Sequence, residues 1–387
     1  MNYRKTRLLI NFQNTLLATL VAAMLGCTVT IFPVQEQPRQ SQSLSLAKDT
    51  VPPLTAPAGY GFLQHGNRDT QFECPDIPTP FTQALEFRSK YEGSDKSRDQ
   101  LNPKALASYK SETATINAFE KGISSQIDTF FASGNEQALR CTLSWLTAWA
   151  NADALTGEAL NHTGKSMRKW ALGSMTGSYL KLKFSATRPL AEFPGQATAI
   201  ENWFARLAEL TVQDWDNAPL EKMNNHEYWA AWSVMASAII LDRRDLYDWS
   251  VKQYRIFATQ VDKDGYLPNE LARKSRALAY HNYSLPPLTM MAALAKANGD
   301  NLVTEGDYAL VRLAELVQAG LKDPTLFERK SGTVQTVEDM NSDSKFVWLE
   351  PLCANYSCNE AMQKWLLDAR PLKAYRVGGN VTSVFGK

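Results

Sequence analysis

Histidine is scarce in this 387-residue chain, which has four, and the signatures of several common chemistries are missing altogether. No His-x-x-x-His or Cys-x-x-Cys spacing pairs two ligands on a helix face or in a turn, so neither a metal centre nor a cofactor is expected. No serine occupies a Gly-x-Ser-x-Gly elbow. Gly164-Lys165-Ser166 ends like a phosphate loop, but the glycine needed five residues earlier is Ala159, which excludes a nucleotide site. An excess of one charge is missing too: 41 Lys and Arg face 40 Asp and Glu, without the basic field of a nucleic-acid binder. From Asn102 onward there is no run of alternating, strand-like hydrophobicity.

The N-terminus reads as separate from the fold. Arg4, Lys5 and Arg7 precede an apolar run from about Thr15 to Leu25, so residues 1–27 are expected to be a secretory signal; Leu25-Gly26-Cys27 loosely resembles a lipoprotein processing site, and an uncleaved anchor is the other variant. Residues 28–60, rich in Pro, Gln and Ser, read as a disordered leader, residues 61–375 as the globular domain and 376–387 as a tail. Removal of residues 1–27 takes away three basic side chains, leaving 38 against 40, or −2. A polyanionic ligand would have to be gripped by a local cluster. Export also places Cys74, Cys141, Cys353 and Cys358 in an oxidising compartment, where two disulfides are expected. Cys353 with Cys358 closes a short loop, which leaves Cys74 for Cys141.

What is present is helical periodicity. Ile116, Phe119, Ile123, Ile127 and Phe130 recur at steps of three and four and stop at Gly134. Further helices are predicted at about 136–152, 166–184, 196–214, 225–241, 243–261, 270–282, 287–298, 305–320 and 360–369, with breaks at Pro189, Pro194, Pro219, Pro268 and Pro286-Pro287. The fold expected is all-α, with helical hairpins stacked into a toroid; no fixed-period repeat supports a solenoid.

Ten Trp, fourteen Tyr and sixteen Phe suit a carbohydrate groove as well as a core. They concentrate at Asn224-Asn225-His226-Glu227-Tyr228-Trp229-Ala230-Ala231-Trp232, where Asn224 or Asn225 caps a helix and Asn225, His226 and Trp229 share a surface. Tyr228 and Trp232 are assigned to the core. In the segment following Pro268, a continuous helix would set Arg273 two turns from Tyr280, where its charge could lower the phenol pKa. Asn161-His162-Thr163-Gly164-Lys165-Ser166 turns into a helix whose start carries Lys165, Arg168 and Lys169 as an anion-gripping rim, with Ser166 as a cap. The polar segment from Phe87 to Gln100 suits a lid carrying Lys90 and Tyr91 and, on composition, a plain surface loop equally well.

Together these groups suit elimination of a glycosidic bond beside a sugar carboxylate. The proton on the carbon bearing the carboxylate is too weakly acidic until hydrogen-bonding or positive groups hold that carboxylate and a base reaches the proton. The motifs Asn224-Asn225-His226-x-Tyr228-Trp229, Asn161 to Ser166, Ser89-Lys90-Tyr91-Glu92-Gly93 and the stretch from Pro268 to Pro287 closely resemble the mannuronate-specific alginate lyases of the fifth polysaccharide lyase family. The resemblance implies an incomplete (α/α) toroid, a periplasmic enzyme, and cleavage of poly-β-D-mannuronate to products with unsaturated 4-deoxy-L-erythro-hex-4-enopyranuronosyl ends. It gives Asn225, His226 and Arg273 the substrate carboxylate, and Tyr280 the C5 proton and its return to O4. Lys90, Tyr91, Trp229, His162, Lys165, Arg168, Glu270 and Tyr283 would contact the chain. Alginate is the expected ligand, an alginate export complex a further partner, and the enzyme a monomer. Two other classes are a noncatalytic alginate-binding scaffold, which would bind without cutting, and a helical-toroid glycoside hydrolase, which needs a carboxylate pair and leaves saturated ends.

Overall fold

A computed structural model describes residues 51–62, 71–216 and 218–386; the expected signal segment and leader residues 28–50 lie outside them. From Pro52 onward the chain forms one body. Its helices are α1 (Pro103–Glu112), α2 (Ala114–Ser133), α3 (Glu136–Asn151), α4 (His162–Lys183), α5 (Pro194–Trp215), α6 (Asn225–Leu241), α7 (Arg244–Gln260), α8 (Pro268–Leu271), α9 (Ala277–Ala297), α10 (Glu305–Lys322), α11 (Thr325–Ser331), α12 (Leu349–Asn355), α13 (Glu360–Ala369) and α14 (Thr382–Phe385). A two-residue hairpin, Lys373–Ala374 with Gly379–Asn380, adds a minimal sheet.

Sequence composition sorts these helices into two layers. In α6 every residue except His226 and Leu241 is buried, and α4 and α9 are buried nearly all round, as a helix with neighbours on every side must be. By contrast α3, α5, α7 and α10 bury one stripe and expose the other. Accordingly α2, α4, α6, α9 and α12 follow one another as an inner layer, with α3, α5, α7 and α10 packed outside. This is the expected (α/α) toroid. It is incomplete: the C-terminal turn Tyr375–Val377 packs on α2, α4 and α9 instead of a further hairpin. Both expected disulfides are present, with Cα–Cα distances of 5.6 Å for Cys74–Cys141 and 5.2 Å for Cys353–Cys358.

Three expectations are corrected. The folded body begins before residue 61 and includes the supposed tail. Leu54 and Tyr60 are 4% and 1% exposed, Tyr60 meets Phe385 edge-on, and Val377, Val381 and Val384 are buried. Isolated apolar side chains in irregular backbone leave no periodic signal. The second concerns Pro286-Pro287, which interrupts nothing, because both residues lie inside α9. Pro287 cannot donate to the Tyr283 carbonyl, but the Trp229 indole Nε1 does so at 3.1 Å, so a neighbouring helix satisfies the freed acceptor. Conversely, the continuous helix expected after Pro268 is broken. Lys274 has φ of 50°, a left-handed conformation that separates α8 from α9.

His281 pins this break. Its Nε2 accepts the Leu267 N–H at 2.9 Å, and its Nδ1 lies 2.8 Å from the Ala277 carbonyl, to which it donates. Complete burial pushes its pKa down from 6.5 to about 4. The unfolded chain therefore binds this proton more readily than the fold does. Stability is fully present above about pH 6.5 and falls as pH drops toward 4, by about 3 kcal/mol from this residue. Urea unfolding at stepped pH should show this slope, and His281→Gln should flatten it.

Candidate active site

Asn224 caps α6, accepting the His226 N–H at 3.2 Å, while the Glu227 carboxylate returns to the Asn224 N–H at 2.7 Å. This capping box leaves Asn225 and His226 in the first turn of a helix whose remainder is core. Asn225 is fixed from below by Glu270, whose Oε1 accepts its backbone N–H at 2.7 Å and its side-chain amide at 2.9 Å. Glu270 is wholly buried and does not line the cleft, so the expected substrate contact is corrected to a support for Asn225. Burial raises its carboxyl pKa; Arg273 and the two Asn225 bonds oppose the shift.

On the next inner helix, α4, Asn161 is the N-cap in place of Ser166, accepting the Gly164 N–H at 2.8 Å. A Cβ on Gly164 would collide with the Leu85 carbonyl, so that glycine serves a close backbone approach. His162, Ser166 and Trp170, one helical turn apart, then face the cleft. The basic rim expected here does not form. Arg168 is 2% exposed, ion-paired with Asp214, and donates to the carbonyls of Leu155 and Gly157. Lys169 is buried against His226, and Lys165 lies outside the cleft lining.

The helix break at Lys274 still unites Arg273 and Tyr280. The guanidinium carbon lies 4.3 Å from the centre of the Tyr280 ring, and Tyr280 donates to the Tyr91 hydroxyl at 2.9 Å. The segment carrying Lys90 and Tyr91 is fastened down: Lys274 pairs with Asp95 at 2.6 Å, Ser275 donates to Asp99 at 3.0 Å, and Arg273 donates to the Ser97 carbonyl at 3.2 Å. Contrary to the expected lowering, the Tyr280 pKa stands well above 10: burial raises it most, then Tyr91, and Arg273 only opposes them. Tyr280 is a neutral phenol.

These groups line a cleft of about 1560 Å³, larger than a drug-sized pocket and suited to several sugar residues. Lys90, Tyr91, His162, Asn225, His226, Trp229, Arg273, Tyr280 and Tyr283 all reach it. Trp229, 3% exposed and tied to the Tyr283 carbonyl, shapes the wall without offering an open stacking face. Nine Lys or Arg side chains line the cleft against one acid, Asp128, which Lys181 neutralises. The polyanion grip absent from the overall charge is thus local. Burial, reinforced by Lys169, His162, Arg273 and Arg98, holds His226 far below its ordinary pKa, so its imidazole is neutral. Among the described residues no three His, Cys, Asp or Glu side chains converge as metal ligands.

Sequence reasoning passed over Trp170, Trp215, Arg98 and Arg376. Trp170 continues a four-residue step from His162 through Ser166, a stripe that could have been followed. Arg376, over the Trp170 ring at 4.3 Å and donating to Tyr283 at 3.3 Å, enters from a segment read as tail and had no local signal.

The alginate lyase family model matches residues 86–327. The chain is 52% identical over 334 residues to an alginate lyase of Pseudomonas putida, covering 86% of this chain and 91% of that one. It is 50% identical to an alginate lyase of Cobetia marina, covering 88% and 91% respectively. Among solved structures, alginate lyase A1-III complexed with tetrasaccharide matches at a TM-score of 0.70 and 20% identity, over 85% of this chain and 89% of that one, which shows a shared fold. A basic, sugar-sized cleft on an (α/α) toroid and sequence identity running through nearly the whole folded body agree, and the chain belongs to the alginate lyase family, a polysaccharide lyase acting on alginate.

Proposed function

We propose that the enzyme is specific for poly-β-D-mannuronate and cleaves it by β-elimination on one face of the sugar. The observation that carries this reading is the Tyr280 hydroxyl: a neutral phenol beside Arg273, hydrogen-bonded to Tyr91, in the basic cleft that also contains Asn225 and His226. Asn225, His226 and Arg273 hold the substrate carboxylate and take up charge as the C5–H bond breaks. The C5 proton passes to the Tyr280 oxygen, its electron pair forms the C4=C5 double bond, and the C4–O4 bond breaks. O4 receives the hydrogen that Tyr280 already carried, so the phenol begins and ends neutral. The raised pKa places the hydrogen due to O4 on the oxygen beforehand, so its transfer to O4 keeps step with the arrival of the C5 proton. In mannuronate H5 and O4 lie on the same face, within reach of one oxygen; in guluronate they lie on opposite faces and need a second donor. The products carry a 4-deoxy-L-erythro-hex-4-enopyranuronosyl group at the new non-reducing end. Lys90, Tyr91, His162, Trp229 and Tyr283 contact the chain.

The two disulfides favour an oxidising compartment, and we place the enzyme in the periplasm, as a monomer that clears or degrades alginate there beside an export complex. Osmotic-shock release should recover the activity.

Ultraviolet absorbance of the conjugated uronate, followed on polymannuronate, polyguluronate and hyaluronan in parallel, tests the specificity. A rise on polymannuronate alone is expected. A comparable initial rate on polyguluronate would overturn the one-face geometry, and binding without absorbance would favour a scaffold.

A further inference from the structure

The contact between Lys169 and the back of His226 has no place in the chemistry above. Lys169 is wholly buried, and its Nζ lies 2.9 Å from His226 Nδ1, 2.8 Å from the His226 carbonyl oxygen and 3.4 Å from the centre of the Trp215 ring. An ammonium has three N–H donors and no acceptor. Here it meets a ring nitrogen, a carbonyl and a π face, each electron-rich. Ser166 Oγ is also 3.1 Å from Nδ1, but its single hydrogen is directed to the His162 carbonyl at 2.8 Å. The proton donor available to Nδ1 is therefore Lys169.

Given the carboxylate-binding role proposed above for His226, we propose that Lys169 is a positioning residue that fixes His226 as the tautomer protonated on Nε2. A neutral imidazole carries one ring proton. With Nδ1 accepting from the ammonium, that proton sits on the opposite edge, turned toward the cleft that His226 lines, as a donor for a uronate carboxylate. In the other tautomer an Nδ1–H would find an acceptor in Ser166 Oγ at 3.1 Å, but it would confront the Lys169 hydrogens at 2.9 Å, and the Nε2 lone pair would face the carboxylate. A 180° ring flip is hindered by Trp215, stacked parallel at 5.6 Å, and by His162, edge-on at 4.4 Å. The assigned tautomer has no lone pair toward the substrate, so His226 cannot compete with Tyr280 for the C5 proton. Burial pulls the Lys169 pKa well below its ordinary value, Glu227 and Asp214 oppose that fall and Arg376 adds to it; the ring nitrogen, carbonyl and π face around Nζ are the groups that call for a donor there.

The test is the ¹⁵N spectrum of histidine-labelled protein, with the His226 resonances assigned by their loss in His226→Ala. Wild type should show a pyrrole-like Nε2 and a pyridine-like Nδ1. Lys169→Met, of similar length but without a donor, should shift the pattern toward Nδ1–H and lower kcat on polymannuronate about a hundred-fold. A pyrrole-like Nδ1 in wild type overturns the proposal without recourse to any variant, which covers the case in which Lys169→Met fails to fold. An unchanged tautomer in a folded Lys169→Met overturns it as well. A shifted tautomer with unchanged kcat would support control by Lys169 while removing His226 from carboxylate binding, so the two readings fail separately.

Discussion

Tyr280→Phe is expected to lower kcat on polymannuronate by about 10³-fold or more while leaving KM within a few-fold. The substitution deletes the one oxygen that both receives the C5 proton and supplies O4, and general acid–base groups contribute about 10² to 10⁴ each. The phenyl ring would remain under the Arg273 guanidinium, now at 4.3 Å, so the carboxylate-binding groups keep their places. Stability should change little, because the hydrogen bond lost, to Tyr91 at 2.9 Å, is worth about 1 kcal/mol. Steady-state kinetics with a parallel thermal melt separates the two effects. Retention of more than a tenth of the wild-type kcat would remove Tyr280 from the mechanism.

Arg168→Ala should fail differently. Arg168 and Asp214 form a buried ion pair, and the arginine also serves the carbonyls of Leu155 and Gly157, which joins α4 and α5 to the loop before α4. Removing one partner leaves a carboxylate and two carbonyls without their donor, at a cost of about 3–5 kcal/mol. Loss of that size shows directly in chemical denaturation. At a temperature where the variant remains folded, KM for polymannuronate should match wild type, since Arg168 does not line the cleft. A KM raised tenfold with unchanged stability would restore Arg168 to the substrate-gripping rim.

These two residues also mark how far the sequence could be read. Periodicity located most of the longer helices to within a few residues, and α6 and α13 begin and end where it put them, because burial against neighbours is what makes apolar residues recur; the short α1, α11, α12 and α14 escaped it. It could not tell which stripe faces a cleft and which faces core. Arg168 and Lys169 follow the loop motif as directly as Lys165 does, yet both are buried and only the tertiary partners Asp214 and His226 reveal why. The Arg273–Tyr280 contact exists, but not through the helix that the sequence suggests. A left-handed Lys274 replaces the helix turn that was expected to align them, and the fold-back delivers the guanidinium to the ring instead. The Tyr280 pKa shifts in the opposite direction to the one its neighbours in sequence suggest, because sequence offers the adjacent charge but not the burial that outweighs it. Arg376 lay beyond sequence reasoning, since a short irregular C-terminal segment has no periodicity to follow.

The most direct test of a neutral phenol serving both proton transfers is the pH dependence of kcat on polymannuronate between pH 7 and 10. Tyr280 lies well above 10, held there by burial and Tyr91, so its ionised fraction would grow tenfold for each pH step across this range while the neutral form stays nearly constant. A rate that stays level or declines is the expected result. A tenfold rise per pH step would show that the phenolate is the base, and would contradict the mechanism in which Tyr280 already holds the proton destined for O4.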